Sequence, residues 1–474
     1  MLLAEDFSEV TQSRSVDLHE DIWREIFLQC IDEPSESTYM GIPPVLLIIC
    51  QVCSSWRVLA TFAPELWARQ TITLGKGITG LVPRREWLDL AFHRARGYPL
   101  DLHLSGGIEA PSPPIYQQTN ISSLIGPMLS RIRKLNLNPT DFFTREDLAK
   151  LPESGAHQLE ELTLTGPSCG YSHRPNPLCS RIWANSHRLR RLSIYHRLDC
   201  DFEWLNVGLM IPFHQLTHIH IDSLISAAQC LAVLRASQDL RSFEIYRLSR
   251  LVPSEKPCRE PVTVLNLEHL YLQADANRSM GPSSKSLLDL LSLIEAPSLS
   301  HLHLNGLDTS EFGFQDASIY KSARRLKVLK LAVEYLFPED ILALLEEHGT
   351  HLEVLELKLS SSRDVWCYSS AGAMNEVIKR LDVWDEDSQA FALCPNLKQF
   401  AINSNSLNHA RQEQGMPRFT PFVDMIEHRW SKGRLRRVTV YDCDPSSTPP
   451  QDLTRLMDLK NEGMSGIFIS DTRD

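Results

Sequence analysis

Leu299-Ser300-His301-Leu302-His303-Leu304 decides the fold of this 474-residue chain. Apolar residues stand at its first, fourth and sixth positions, and the last four residues alternate polar with apolar, the signature of a strand with one buried face. The same unit, with Ile, Val or Phe allowed for Leu, begins at Ile132, Leu159, Leu189, Leu216, Leu240, Leu267, Leu299, Leu326, Leu352, Leu397 and Leu435. Most of these eleven copies lie 24 to 32 residues apart, and two wider intervals of 45 and 38 follow Leu352 and Leu397. Helical patterns lie between the strands, clearest at Ser286 to Glu295 and at Pro338 to His348, which opens on Pro-Glu-Asp and stops at Gly349.

This period and spacing resemble those of leucine-rich repeats. The resemblance implies an α/β solenoid over residues 99–474, a horseshoe with one strand per repeat in a parallel sheet on its concave face. The asparagine or cysteine that follows the strand in that family is largely missing, so the repeats are irregular. The two wide intervals carry insertions near 360–392 and 404–420. The first holds a helix near Ala373 to Leu381 and the acidic run Asp382 to Asp387, either a solvated segment or a partner contact.

Working outward, Pro99 to Leu104 and Gln70 to Leu74 alternate like strands, and Arg84 to Arg96 has Trp87, Leu88, Ala91 and Phe92 on one helical face. Residues 71–98 therefore read as a connecting strand and helix, and residues 1–15 as a flexible polar arm.

Between these lies Val16 to Trp67. Asp17 is a candidate N-cap, Glu20 and Asp21 suit a first turn, and Leu18, Ile22 and Ile26 fall at i, i+4 spacing with Trp23 and Phe27 one position on. The apolar face is wider than a small helix needs for its own core. A second helix, apolar almost all round and so expected to be buried, runs from Pro43-Pro44 to Ala60. Cys50 and Cys53 lie inside it and read as small buried hydrophobes, not as a redox or metal pair.

The order Leu18, Asp21, Ile22-Trp23, Ile26-Phe27, then Val52-Cys53, Trp56-Arg57, then Pro64, Leu66, Trp67 resembles the F-box. The chain departs from that pattern at His19, where the family has proline, and in the long polar joint Asp32 to Gly41. Taken together, the two patterns resemble F-box proteins with carboxy-terminal leucine-rich repeats, of the fungal type. The resemblance implies a small helical module over residues 16–70 that docks on the Skp adaptor, and through it a cullin, in an SCF-type ubiquitin ligase. Its adaptor-binding residues would be Leu18, Ile22, Trp23, Ile26, Phe27, Val52, Trp56 and Trp67. The alternative is a repeat scaffold whose amino-terminal helices only cap the solenoid, with no ligase role, because such stacks need end caps.

A formal net charge of −11 argues against a general nucleic-acid binder. The first residues carry acids where a signal peptide needs positive charge, and no apolar run approaches the ~20 residues that span a bilayer. With eleven cysteines in no disulfide-like framework, reduced thiols and a cytoplasmic or nuclear protein, not a secreted one, are expected. There is no G-x-S-x-G elbow, no phosphate-binding glycine loop and no H-E-x-x-H, so neither catalytic residues nor a cofactor nor a metal is expected, and the chain does not read as an enzyme.

In each repeat, the residues flanking and separating the last two apolar positions point to the open face. In the central repeats this gathers Arg191, Tyr195, His218, His220, Tyr246, His269, Tyr271, His301 and His303, with His269 beside His301 and Tyr271 beside His303. A metal site would need a closed four-ligand set that the row lacks, which leaves a solvated strand face, or a surface that reads an as yet unidentified protein target, since Tyr and His offer area with hydrogen-bonding tips. The histidines' ordinary pKa near 6.5 would make such binding pH-dependent about neutrality.

Overall fold

The computed structural model describes residues 18–32, 44–74, 81–82, 85–106, 125–137, 151, 155–165, 183–195, 211–249, 260–274, 284–308, 318–335, 338–359, 370–403, 419–441 and 450–470. The expected arm at 1–15, Asp17, the joint after Asp32 and nearly all of the expected insertion at 404–420 lie outside these residues.

Among the described residues, fifteen strands form one long sheet whose order follows the chain, except that the two-residue strand Leu81–Val82 sits outside Arg69–Leu74 at one edge. That edge pair is antiparallel; all the other neighbours run parallel. The protein is thus α/β with a long parallel sheet, an arrangement compatible with a solenoid.

Each of the eleven repeat copies supplies a strand, and their middle apolar positions stay in register. Leu135, Leu162, Leu192, Ile219, Phe243, Leu270, Leu302, Leu329, Leu355, Phe400 and Val438 pair in succession, and all are buried. One such side chain contributes about 1.5–3 kcal/mol on burial. A register slip of one residue would turn every one of them to solvent, so the pattern fixes the pairing. The leading leucine of a repeat closes a tight turn: the N–H groups of Leu159, Leu189, Leu240 and Leu299 donate to carbonyls three residues back.

Helices form a second layer. Those at Ala227–Ala236, Ser284–Ser292, Pro338–His348, Ser370–Leu381, Phe419–Ser431 and Pro450–Asn461 lie between strands, and most touch the next helix along the chain. The first starts on a capping box, with Ser226 Oγ accepting from the Gln229 N–H and the Gln229 side chain accepting from the Ser226 N–H.

Four expectations need correction. The segment 71–98 is more than a connection: Arg69–Leu74 pairs with Leu100–Gly106, so the sheet begins before residue 71 and not at 99. Around 360–392, the helix Ser370–Leu381 occupies the ordinary helix layer, followed by a small antiparallel pair, Trp384–Asp385 with Ala390–Phe391. The first helix, α1, spans Glu20–Asp32, so His19 and not Asp17 precedes it; the His19 carbonyl accepts from Ile22 and Trp23. The single helix expected up to Ala60 is two helices, α2 (Pro44–Val52) and α3 (Ser54–Phe62). Cys53 separates them in extended conformation, and its sulfur accepts from the Trp56 N–H as an N-cap. The short helix α4, Pro64–Trp67, follows.

Candidate functional site: an aromatic row and an exposed helical face

Nine sequence-selected residues of the central strands stand on the face opposite the buried leucines, because successive side chains on a strand alternate. The strand Arg191–Tyr195 shows it plainly: Leu192 and Ile194 are buried, while Arg191 and Tyr195 are exposed. His269 pairs with His301 and Tyr271 with His303, as expected.

Five of the nine form a continuous row of rings across five strands. Ring centroids are 4.7 Å apart for Tyr195 and His220, 4.7 Å for His220 and Tyr246, 4.3 Å for Tyr246 and Tyr271, and 4.4 Å for Tyr271 and His303. These spacings match the ~4.8 Å between neighbouring strands, so each strand places one ring against the next. His269 and His301 stack at 4.1 Å in a second, shorter row. His218 shares that column across Ser242, and Arg191 is held by Glu161 at 2.9 Å.

Glu244 stands beside the row, in register with His220 and Tyr271, and was not among the expected site residues although the strand alternation places it on this face. Its carboxylate meets His220 Nδ1 at 3.0 Å and accepts from the Ser242 hydroxyl. The bond to His220 holds the Glu244 pKa below the usual range, so the group is ionised. Burial, with Glu244 nearby, pushes the Tyr246 phenol up to about 12. Tyr271 donates to Gln273 Oε1 at 2.6 Å.

The expectation of charge switching near neutrality is corrected for His303, and two further histidines shift in the same direction. Burial lowers the pKa of His218 and His301, and takes His303 to about 4, with Lys330 adding to the effect. His303 is therefore neutral at physiological pH. Beyond it, Glu356 bridges Lys330 at 3.1 Å and Lys358 at 2.8 Å, and Lys358 Nζ lies 3.9 Å from the Tyr441 ring centre. Burial alone would raise the Glu356 pKa, but the two lysines outweigh it and the net shift is downward.

At the other end, α1, α2 and α3 pack on one another and divide their apolar residues into two sets. Phe27 lies 5.0 Å from Trp56, and Trp23 lies 4.7 Å from Trp56, ring centre to ring centre. Trp67 Nε1 donates to the Ala60 carbonyl at 2.7 Å, and its ring meets Trp87 at 5.5 Å with the Arg94 guanidinium over it. Phe27 and Trp67 are each 1% exposed, which corrects their assignment as adaptor contacts. Their rings are used up inside, where they tie the helices together and to Arg85–Arg94. Trp23, Trp56 and Leu18 are half-buried.

Of the other expected contacts, Ile22, Ile26 and Val52 are exposed, and Ile48, Val58 and Phe62 join them, all between 37% and 58%. Each helix thus shows an outward i, i+4 apolar pair: Ile22 with Ile26, Ile48 with Val52, Val58 with Phe62. Val52 was expected here, whereas Ile48 and Val58 fall inside what reads from the sequence as one buried helix and Phe62 lies just beyond it. Ser54 and Ser55, good helix starters inside the apolar run, were the signal for the break.

Among the described residues no group of three or more His, Cys, Asp or Glu side chains is placed to hold a metal, and no helix is long and apolar enough to cross a membrane. No family model matches the chain, and no curated protein matches it.

Proposed function

We propose that this chain is the substrate-recognition subunit of an SCF-type cullin-RING ubiquitin ligase. In this reading α1 to α3 hold the Skp adaptor, and the repeats curve into a horseshoe whose aromatic row holds the protein to be ubiquitylated. The chain itself makes and breaks no bond; it raises the effective concentration of target lysines at the charged ubiquitin. The observation that carries the reading is the division of labour in the amino-terminal helices. One apolar set is consumed in a core continuous with the sheet, while three outward i, i+4 pairs remain in water. A helical cap needs only the first set; the second suits a partner, since exposed apolar patches mark interaction sites.

The capping role has its own support, because Trp67 packs directly against the helix that follows the first strand of the sheet. The module then both caps the stack and carries the docking face, and the pure scaffold reading differs in lacking an adaptor. Affinity purification with mass spectrometry separates them. Recovery of a Skp adaptor and a cullin is expected, together with target proteins that disappear when Tyr246 and Tyr271 are both changed to Ala. Recovery of preys without adaptor or cullin from the intact chain would leave the scaffold reading standing and this one refuted.

A further inference from the structure

The charges around the aromatic row are unevenly spent. At one end Lys134 and Arg191 both sit on Glu161, at 2.9 Å each. At the other end Lys330 and Lys358 both sit on Glu356. Arg247, on the strand that carries Tyr246, is engaged as well. The basic groups flanking the row therefore already have partners. The carboxylates at its centre differ. Glu244 meets His220, Ser242 and the Tyr246 hydroxyl, and no Lys or Arg pairs with it among the described residues. Asp222, which pairs with Tyr195 in the sheet and is half-buried, has no hydrogen-bonding or ionic partner among the described residues. Both carboxylates lie close enough to Tyr271 to raise its pKa. His303, neutral at physiological pH, adds no compensating positive charge to the row.

A strip of ring faces with unspent negative charge at its middle is chemically matched to a cation that also stacks. An arginine side chain satisfies both demands, because its guanidinium is planar, weakly hydrated and always charged. We infer that the segment of the target read by this face is basic, and that it lays an arginine on the Tyr246 and Tyr271 rings beside Asp222 and Glu244. This rests on the reading of the row as the target-binding surface and narrows it to a chemical class of segment.

The test uses the full chain and three fluorescein-labelled peptides of equal length. One alternates arginine with glycine and serine; in the others citrulline or glutamate replaces every arginine. Citrulline keeps the planar shape without the charge. Fluorescence anisotropy should show the arginine peptide binding about tenfold or more tighter than the citrulline peptide, with the glutamate peptide weakest. Asp222→Asn and Glu244→Gln should each cut that preference several-fold, and Tyr271→Ala should weaken both the arginine and the citrulline peptides. Equal binding of arginine and citrulline peptides overturns the inference on the unaltered protein, whatever the variants do to folding. An arginine preference unchanged by Asp222→Asn and Glu244→Gln also overturns it, since the attraction is then to the general negative charge of the chain. If prey capture is lost with Tyr246→Ala and Tyr271→Ala while no arginine preference exists, the face reads its target by other chemistry. If prey capture survives that double change, the placement of the target on this face is itself wrong.

Discussion

Changing Ile26 and Phe27 one at a time separates two roles held by neighbouring residues of one helix. Phe27 is 1% exposed and lies against Trp23 and Trp56, so Phe27→Ala removes a ring from a packed site. Such truncations cost about 3–5 kcal/mol, the loss of transfer energy plus the cavity left behind. Because a repeat stack loses structure locally, the damage should stay in residues 18–74 and show as faster amide exchange there, with the later strands still protected. Ile26 is 37% exposed, so Ile26→Ala leaves no closed cavity and should cost under about 1 kcal/mol of stability. If its side chain is an anchor at the adaptor interface, however, binding should fall by about 2 kcal/mol, roughly thirtyfold. Titration calorimetry against a purified Skp adaptor, run beside thermal melts of the same proteins, reads both quantities. Ile22→Ala should follow Ile26→Ala. Adaptor binding by Ile22→Ala and Ile26→Ala at the strength of the unchanged protein would refute the assignment of the outward pairs as the docking face.

Two further outcomes follow from buried ionisable groups. His303 titrates at about 4 in the folded chain against about 6.5 unfolded, so between those values the unfolded state holds more protons. Stability should therefore fall as pH drops from about 6.5 to about 4 and be unaffected by this group above it. His303→Gln should flatten that slope in urea midpoints, and an imidazole seen by NMR to titrate near 6.5 would refute the assignment. Arg429, fully buried in Phe419–Ser431, donates four hydrogen bonds to the carbonyls of Leu381, Leu393 and Cys394 and lies 4.1 Å from the Phe391 ring centre. Arg429→Ala strands those carbonyls and opens a cavity, so it should cost more than about 3 kcal/mol, with exchange rising over 370–441 and little change before 250.

The solenoid-like sheet was legible because its signal is repeated. Eleven copies of one pattern constrain one another, and Leu302 is placed by Leu270 and Leu329 as much as by its own neighbours. The strand Ser465–Ser470 was not foreseen, since a single uncharged stretch without the repeat motif offers no register to compare. The amino-terminal helices were half legible. Periodicity identified Ile22, Ile26 and Phe27 as apolar, but it could not say which of them turn inward.

What the amino-acid order determined alone is what depends on neighbours along the chain. It set strand alternation, the repeat period, the helix at Pro338–His348, and the pairing of His269 with His301 once the strands are taken as successive and parallel. What only the tertiary structure decided depends on distances between groups far apart in sequence. Ile48, Val58 and Phe62 are left exposed around the break at Cys53, while Trp87 and Arg94 enclose Trp67. The burial that takes His303 to about 4, and the pairing of Lys330 and Lys358 with Glu356 while Asp222 has no ionic partner among the described residues, likewise arise between strands. Desolvation and Coulomb energy act through space, and a linear pattern does not carry those distances.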